Sequence, residues 1–327
     1  MTGAGDNRIG EFRLDPLTRR WVNIVGHRQD RPNLPTHGCP FCVGGLEAPD
    51  PYEVRWFANR WPALEPGAPL DLVAAVHDGR TRVPAVGASE VILYSPDHDA
   101  SLSTLPPAQL AKVIELWAAR TEALLARPEI EYVLVFENRG PDVGATIHHP
   151  HGQIYAYPFV PPEPEREGDI NRAHGCASCD EVRDEAHAKD GVTRVVVGSE
   201  TWLGYVPYAS GYSYGLRLTP RRHVGRLADL DDSERAGLAA VLSATLGAYD
   251  RLWADAPGHS AMFPYLMWFH QAPKHSHGEH HLHAHVAPPQ RAPGLARFIA
   301  SGELGSGTLS NPVVPERAAA ELRACLP

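Results

Sequence analysis

The stretch HHPHGQIYAYP, from His148 to Pro158, decides the fold prediction for this chain. Residues two apart on a β-strand project from the same face, so His149, His151 and Gln153 are expected to share one side of a strand. Pro150 has no backbone N–H, which favours an edge or a strand end where a ligand can approach. Two imidazoles in such a place suit either metal binding or attack on an electrophile.

The composition of the whole chain limits its class. With 327 residues, 43% hydrophobic and 21% charged, it is typical of a globular protein of about two domains. The formal charge of −9 argues against a nucleic-acid partner. No apolar run approaches the roughly 20 residues of a membrane helix and no secretory signal opens the sequence, so we expect a cytoplasmic protein without membrane contact. Four of the five cysteines form two C-x-x-C pairs, which in a reducing compartment predict metal sites before disulfides.

An internal repeat divides the sequence. THGCPFC at residues 36–42 is echoed by AHGCASC at residues 173–179. A short Pro motif ending in His98 or His223, an amphipathic helix and a histidine-rich strand follow each copy in the same order. We therefore predict an α+β fold of two duplicated halves, each a mainly antiparallel sheet with packed helices. The Pro-rich segment 159–168 is expected to be the linker, which gives halves 1–168 and 169–327.

Several longer motifs give the chain a family resemblance. They are HRQDRP at 27–32, CPFC at 39–42, FANRWPA at 57–63, SPDH at 95–98, FENRG at 136–140, HPHGQIYA at 149–156, FHQAP at 269–273 and HLHAHVAPP at 281–289. In this order they resemble galactose-1-phosphate uridylyltransferase, a family of the histidine-triad superfamily. The resemblance covers nearly the whole chain and implies two histidine-triad-like halves.

That resemblance implies an enzyme, a nucleotidyltransferase that moves UMP from UDP-glucose to galactose 1-phosphate and so produces UDP-galactose. His151 matches the family's nucleophile, which carries the uridylyl group as a covalent intermediate and gives ping-pong kinetics. A neutral imidazole is a competent nucleophile near pH 7. Gln153 stands where related hydrolases carry a third histidine. Its amide can hydrogen-bond a phosphate oxygen but cannot transfer protons, which favours transfer over hydrolysis.

Substrate contacts follow from the resemblance as well. Those implied for the donor are Arg28 and Arg31 at the diphosphate and Asn59 and Asn138 at the nucleotide, with Arg60 and Arg139 as weaker candidates. Those implied for the hexose 1-phosphate lie in RFIASGE, namely Arg297, Phe298 and Glu303. In the family this segment serves the partner subunit's site, so a homodimer is expected. A family glutamine that touches the sugar has no clear match here, with Asn311 as a possible substitute, which leaves the acceptor sugar open.

Metal ligands are implied in two sets. The first is Cys39, Cys42, His98 and His149, a set suited to tetrahedral Zn²⁺ with a structural role. The second is Glu167, His270, His283 and His285, which suits iron or a second zinc. The histidines at 275, 277, 280 and 281 are alternative ligands there or part of a solvated loop. Cys176 and Cys179, with His174 and His223 near them in the repeat, form either a further zinc site or a vestigial pair.

Two other classes of protein remain open at this stage. A phosphorylase or hydrolase of the same superfamily, acting on ADP-glucose or dinucleoside polyphosphates, would share His151 but differ in base and acceptor. A non-enzymatic nucleotide-binding or zinc-binding module would form no covalent nucleotide adduct. The first alternative releases AMP or free UMP in place of a new nucleotide sugar, so the products distinguish it.

Overall fold

The computed structural model describes residues 10–30, 38–70, 81–188, 193–257 and 262–327. The strands in these ranges are β1 (Glu11–Leu14), β2 (Trp21–Ile24), β3 (Arg55–Ala58), β4 (Arg82–Pro84), β5 (Ala88–Leu93), β6 (Tyr132–Arg139), β7 (His151–Tyr157), β8 (Val195–Gly198), β9 (Trp202–Tyr205), β10 (Leu216–Pro220), β11 (Tyr265–His270), β12 (His283–Ala287), β13 (Gln290–Ala292) and β14 (Leu295–Ala296). The α-helices are α1 (Pro107–Leu125), α2 (Pro162–His174), α3 (Ala177–Ala186), α4 (Asp232–Arg251), α5 (Ser301–Ser306) and α6 (Pro315–Ala324). None of these helices combines the length and the apolar surface that a bilayer span requires.

One nine-stranded sheet joins the two halves. Its order is β3-β5-β7-β6-β11-β12-β10-β9-β8, and neighbouring strands are antiparallel throughout. Strand β6 of the first half pairs with β11 of the second, with Phe136 opposite Trp268. The predicted α+β class and the antiparallel pairing are confirmed. The separate sheet expected for each half is instead one continuous sheet, because β6 and β11 close the edges that two isolated sheets would expose.

Strand β7, which carries His151 and Gln153, lies between β5 and β6 in this sheet. Along β7, Gly152, Ile154 and Ala156 are buried, whereas the residues between them are only partly buried. Ile154 and Ala156 belong to the same apolar cluster as Trp117 of α1 and Leu242 of α4. Burying each large apolar side chain contributes about 1.5–3 kcal/mol, so this packing fixes the strand and directs His151 and Gln153 to the opposite face.

The Pro-rich segment between the halves is helical from Pro162 onward, which corrects the expected linker. Pro162 and Pro164 fall in the first turn of α2, where a missing N–H breaks no helical hydrogen bond. Glu163 and Glu165 lie in the same turn, where their negative charges interact favourably with the positive end of the helix dipole and stabilise the helix. The division between residues 168 and 169 therefore falls inside α2 and stays a proposal. The helix brings Glu167 to His270 of β11, in the second half.

A buried carboxyl group lies on β6, the strand next to β7. Glu137 is 5% exposed and accepts a hydrogen bond from the Tyr265 hydroxyl at 3.2 Å. The Tyr94 hydroxyl lies so close to Gly152 that a Cβ there would be 2.0 Å from it, so β7 requires glycine at this position. Burial raises the pKa of Glu137 to about 8.

This pKa predicts a pH dependence of stability. The folded-state pKa of Glu137 lies above its ordinary value of 4.5. Its contribution to the free energy of unfolding is therefore complete below about pH 4.5 and is lost as the pH rises through about 8. We expect Glu137→Gln to flatten the fall in unfolding free energy over this interval, by up to about 1.4 kcal/mol per pH unit. Calorimetry across the pH range measures this, with Glu115→Gln on the exposed face of α1 as control. Parallel curves for wild type and Glu137→Gln would contradict it.

Candidate active site and metal clusters

The first predicted ligand set comes together in space. The ligand atoms of Cys39, Cys42, His98 and His149 all lie within 4.8 Å of one another. The Cys42 Sγ atom is 3.5 Å from Nδ1 of His98 and 3.6 Å from Nδ1 of His149. Tetrahedral zinc, with bonds of about 2.3 Å to sulfur and 2.0–2.1 Å to nitrogen, separates neighbouring ligand atoms by roughly 3.4–3.8 Å. The cluster therefore fits a Cys2His2 zinc site.

His149 is held in the tautomer that a metal ligand needs. Its Nε2 atom lies 2.8 Å from the Ser95 carbonyl oxygen and so carries the hydrogen, which leaves the Nδ1 lone pair directed at the Cys42 sulfur atom. The Tyr52 hydroxyl is 2.8 Å from the same Nε2 and donates to the Phe41 carbonyl oxygen at 2.8 Å. Burial lowers the pKa of His149, which favours the neutral ring. Sequence reasoning missed Tyr52, because no motif marks it and only the fold brings it to His149.

The orientation of His151 depends on the preceding histidine. Its Nδ1–H donates to the His149 carbonyl oxygen at 2.8 Å, because a carbonyl can only accept. Nε2 is therefore the ring nitrogen that keeps its lone pair. The ring also meets Phe41 edge-on at 5.1 Å between centroids, and Phe41 lies between the two cysteines of the cluster. His149, which precedes β7, and His151, its first residue, thus place a candidate metal ligand beside a candidate nucleophile at a strand end.

Several residues expected at the donor substrate lie on this same sheet face. The pairing of β7 places Gln153 opposite Phe136 on one side and Val91 on the other. Arg28, in a 3-10 helix at Gly26–Asp30, donates from Nη1 to the Tyr155 hydroxyl at 3.1 Å. Tyr155 follows Gln153 on the same face, so Arg28 lies at the row of β7 side chains that begins with His151. Sequence reasoning had marked Tyr155 only as part of the strand.

The two predicted asparagines lie near β7, whereas the two weaker arginine candidates form ion pairs with acidic residues. Asn59 follows β3 and is bonded through its backbone N–H to the Ser89 carbonyl oxygen at 2.8 Å, which places it beside the Tyr155 row. Asn138 lies two residues beyond Phe136 on β6, towards the His151 end of β7. Arg31 lies outside the described residues. Of the weaker candidates, Arg60 pairs with Glu47 at 2.9 Å and Arg139 pairs with Asp250 at 2.6 Å.

The expected acceptor residues are not brought to His151 within one chain. Arg297 binds Glu303 at 2.5 Å, and its guanidinium lies over the Tyr212 ring at 5.8 Å. Asn311 donates to the Ser210 carbonyl oxygen at 3.0 Å. Phe298 is 83% exposed. Among the described residues, these contacts place the segment against the loop at 210–212 of the second half and not against β7.

The second predicted ligand set also comes together. The ligand atoms of Glu167, His270, His283 and His285 lie within 4.8 Å of one another. Oε1 of Glu167 is 2.9 Å from Nδ1 of His270 and 3.6 Å from Nε2 of His283. Burial by itself raises the pKa of Glu167, but the hydrogen bond from His270 and the nearby His283 ring outweigh it and hold that pKa far below its usual range. The carboxylate is therefore ionised, as a metal ligand must be.

Two buried nitrogen atoms indicate that the second cluster suits a cation. Nε2 of His283 and Nε2 of His285 are inaccessible to solvent and have no hydrogen-bond partner among the described residues. An unsatisfied buried polar atom costs about 1–3 kcal/mol. A cation ligated by both rings and by Glu167 would remove that cost, so the residues fit a metal. The neighbouring His280 is not part of this set, since its Nδ1 and Nε2 lie beside Ser276 and the Pro164 carbonyl oxygen.

Both halves of the chain match domain models of a known family. The model described as "Galactose-1-phosphate uridyl transferase, N-terminal domain" matches residues 4–161, and the corresponding C-terminal domain model matches residues 172–326. The chain belongs to the galactose-1-phosphate uridylyltransferase family. The resemblance inferred from the sequence motifs is thereby confirmed.

Members of this family and solved structures agree with the match over nearly the full length. A galactose-1-phosphate uridylyltransferase from Thermotoga maritima is 37% identical, covering 96% of this chain and 98% of that protein. A solved uridylyltransferase structure has a TM-score of 0.83 at 30% identity, covering 96% of this chain and 98% of that one. An ADP-glucose phosphorylase from Arabidopsis thaliana is 26% identical, covering 98% of this chain and 95% of that protein. The chain is thus also similar to a protein whose name specifies ADP-glucose as its substrate.

Proposed function

We propose that this chain is a UDP-glucose:hexose-1-phosphate uridylyltransferase, an enzyme that transfers UMP from UDP-glucose to galactose 1-phosphate. The observation that carries the proposal is the His151 ring, whose Nδ1–H is engaged by the His149 carbonyl oxygen at 2.8 Å while Nε2 retains its lone pair. The 37% identity to the Thermotoga maritima enzyme over nearly the whole chain supports the substrate assignment.

The first chemical step is attack by Nε2 of His151 on the α-phosphorus of UDP-glucose. The N–P bond forms as the bond from that phosphorus to the bridging oxygen breaks, and the bridging oxygen leaves with glucose 1-phosphate. Positive charge develops on the imidazole during this step. The His149 carbonyl oxygen accepts the Nδ1–H bond at 2.8 Å and stabilises that charge. The product is a uridylyl-histidine, which holds UMP on the enzyme.

The second step returns the enzyme to its starting state. A phosphate oxygen of galactose 1-phosphate attacks the same phosphorus, the N–P bond breaks, and its electron pair returns to Nε2. No net proton transfer is needed, because a phosphate anion replaces a phosphate anion. Both sugar phosphates use one pocket in turn, which predicts ping-pong kinetics. Arg28 is proposed to contact the diphosphate, since a guanidinium matches phosphate geometry.

We propose a zinc ion for the Cys39, Cys42, His98 and His149 cluster. Zinc suits two thiolates and two imidazoles, and its role here is structural, because four protein ligands leave no open position. It would fix the ring of His149 and with it the carbonyl oxygen that orients His151. For Glu167, His270, His283 and His285 we propose iron or a second zinc, supported by the two buried nitrogen atoms described above.

Gln153 is proposed to act on the phosphate and to protect the intermediate from water. An amide can donate a hydrogen bond to a phosphate oxygen but cannot accept a proton from an attacking water molecule. We expect Gln153→His to increase the release of free UMP relative to UDP-galactose by about tenfold or more, since a positioned general base typically contributes 10²–10⁴-fold. Product analysis by chromatography measures the ratio. Gln153→Asn, which keeps the amide, is the control, and an unchanged ratio in Gln153→His would contradict this role.

A homodimer is also proposed. Leu295, Phe298, Ile299 and Leu304 leave between 43% and 83% of their surface exposed on one short segment. In one chain this segment contacts the loop at 210–212, so its residues reach an acceptor at His151 only if they belong to a second copy. We expect a dimer in sedimentation velocity, and Phe298→Asp should shift it towards monomer and raise the KM for the hexose 1-phosphate. A monomeric wild-type enzyme with full activity would contradict the proposal.

Intact-mass analysis tests the proposed function directly. After incubation with UDP-glucose, the protein should gain the mass of one uridylyl group at a peptide containing His151, and galactose 1-phosphate should discharge it as UDP-galactose. ADP-glucose tests the alternative phosphorylase, which would give an adenylyl adduct discharged by inorganic phosphate. Absence of any nucleotide adduct would favour the non-enzymatic module. A cytoplasmic location is also proposed, because two C-x-x-C pairs that lie beside histidines suit metal binding in a reducing compartment.

A further inference from the structure

The second half contains a group of residues that reproduces the first cluster. The ligand atoms of Cys176, Cys179, His223 and His281 lie within 4.8 Å of one another. Their order along the chain, two cysteines three apart and then two distant histidines, repeats that of the first cluster. His174, a candidate partner of these cysteines from the repeat, is not in the group, and His281 takes part in it. Neither the reaction proposed above nor the Glu167 cluster uses the two cysteines.

Distances within the group match a tetrahedral metal ion. Nδ1 of His281 is 3.4 Å from the sulfur atoms of both Cys176 and Cys179, and Nδ1 of His223 is 3.4 Å from the Cys179 sulfur. These values fall in the roughly 3.4–3.8 Å expected between neighbouring ligands of zinc. Hydrogen bonding alone does not account for them, because Nδ1 of His281 has one lone pair and two sulfur neighbours. A central cation satisfies all four ligand atoms at once.

The surrounding bonds set the group up as they do in the first half. Nε2 of His281 lies 3.0 Å from the Pro220 carbonyl oxygen, which fixes the hydrogen on Nε2 and leaves Nδ1 for a metal. The backbone N–H of Cys179 donates to the Cys176 sulfur at 3.4 Å, at the N-terminus of α3. His281 is 3% exposed, so a charge placed there is largely shielded from water.

We infer that Cys176, Cys179, His223 and His281 bind a structural zinc ion of their own, and that this ion positions a ligand of the Glu167 cluster. The connection is one hydrogen bond. Nδ1–H of His283 donates to the His281 carbonyl oxygen at 2.8 Å, which matches the bond from His151 to His149 in both atoms and length. Nε2 of His283 is thereby directed towards Oε1 of Glu167 at 3.6 Å.

The two halves therefore share one arrangement, a Cys2His2 site that orients a histidine ring, but the oriented ring has a different role in each half. In the first half, a Cys2His2 site orients the ring proposed as the nucleophile. In the second half, the equivalent ring is 4% exposed and surrounded by Glu167 and two further histidines, so it is oriented as a metal ligand. A cavity of about 170 Å³ lined by Glu167, His281 and His283, among others, borders both clusters of the second half. Neither the zinc site nor its effect on His283 depends on the transferase activity.

Metal counting on the full-length protein tests the site without an activity assay. We expect zinc analysis to lose one equivalent per chain in the Cys176→Ser/Cys179→Ser double variant relative to wild type, whereas Cys325→Ser loses none. In cobalt-substituted protein, the thiolate-to-cobalt absorption should fall by about half, because the cluster at Cys39 keeps the other half. Unchanged zinc content and cobalt absorption in the double variant would overturn the site.

A milder variant covers the case in which the double variant does not fold. His223 is the exposed ligand, so His223→Gln should keep the far-ultraviolet circular dichroism of wild type while its zinc passes to a chelator at least tenfold faster. Release at the wild-type rate would overturn the site. The positioning role has its own readout, the metal content of the Glu167 cluster. We expect the folded variants to retain that metal less tightly, and wild-type retention after loss of the zinc would overturn this role alone.

Discussion

His151→Ala should abolish uridylyl transfer while leaving the fold unchanged. The imidazole is the group proposed to form the N–P bond, and alanine at this position leaves only direct attack by the sugar phosphate or water. Loss of a nucleophile that acts together with its partners typically costs on the order of 10⁴–10⁶-fold in kcat. We expect a reduction of this order in UDP-galactose formation and no uridylyl adduct in the intact mass.

A nearby histidine provides a matched control. His148 precedes the two others in sequence, is exposed, and lies 3.5 Å from Asp99 through Nε2. His148→Ala removes the same kind of side chain from a position outside the proposed chemistry, so its kcat should stay within about threefold of wild type. Melting temperatures close to wild type in both variants would assign the loss to chemistry. A His151→Ala protein that exchanged hexoses at a tenth of the wild-type rate or faster would disprove the nucleophile.

Around β7, the part of the site that depends on residues close together in the sequence was predictable. Alternation along His151–Tyr157 predicted which side chains share a face, because strand geometry fixes that pattern wherever a strand forms. Pro150 predicted an edge or a strand end, and the structure has the strand end. The ligand sets were predicted from the family motifs. Those motifs mark residues that the fold of family members brings together. The spacing of Cys39, His98 and His149 alone does not require them to meet.

Other features depend on contacts between distant segments and left no local signal. The merging of two sheets through β6 and β11 depends on which strand edges meet, and either strand has the composition of an edge or an interior strand. Helix α2 was missed because prolines usually mark loops, yet prolines confined to a first turn are compatible with a helix. Tyr52 contacts His149 across 97 residues of sequence. Its role follows only from the three-dimensional arrangement.

The second C-x-x-C pair shows how far an internal repeat can predict a site. The sequence allows two interpretations of the pair, a zinc site or a vestigial pair without metal, because it does not identify the histidine partners. The structure selects His223 and His281, which occupy the positions of His98 and His149 in the first half. An alignment of the two halves residue by residue would have predicted His281 as the partner. A duplicated fold has the same backbone positions in both halves. The residue that aligns with His149 is therefore placed beside the second C-x-x-C pair.

Removal of the zinc site proposed at Cys39, Cys42, His98 and His149 should lower the stability of the protein before it lowers the rate of the reaction. In Cys39→Ser/Cys42→Ser the hydroxyls are poor zinc ligands, so the bond network that joins residues 38–48 to His98 and His149 is lost. Binding of a structural zinc contributes about 10–16 kcal/mol in isolated zinc fingers, and we expect a part of this to appear as stability here. A loss of several kcal/mol corresponds to a fall in melting temperature on the order of 10 °C. Differential scanning calorimetry with zinc analysis of the same samples measures it.

The order of the two losses separates a structural ion from a catalytic one. Because His149 also orients His151 through its carbonyl oxygen, the double variant should lose activity as the local structure loosens, even at temperatures where it remains folded. Its activity should recover part of the way on cooling, whereas loss of a catalytic ion would be equal at all temperatures. Cys325→Ser, which removes a thiol outside the three clusters, should change neither property. A zinc-free protein that melts at the wild-type temperature would show that the ion is not structural.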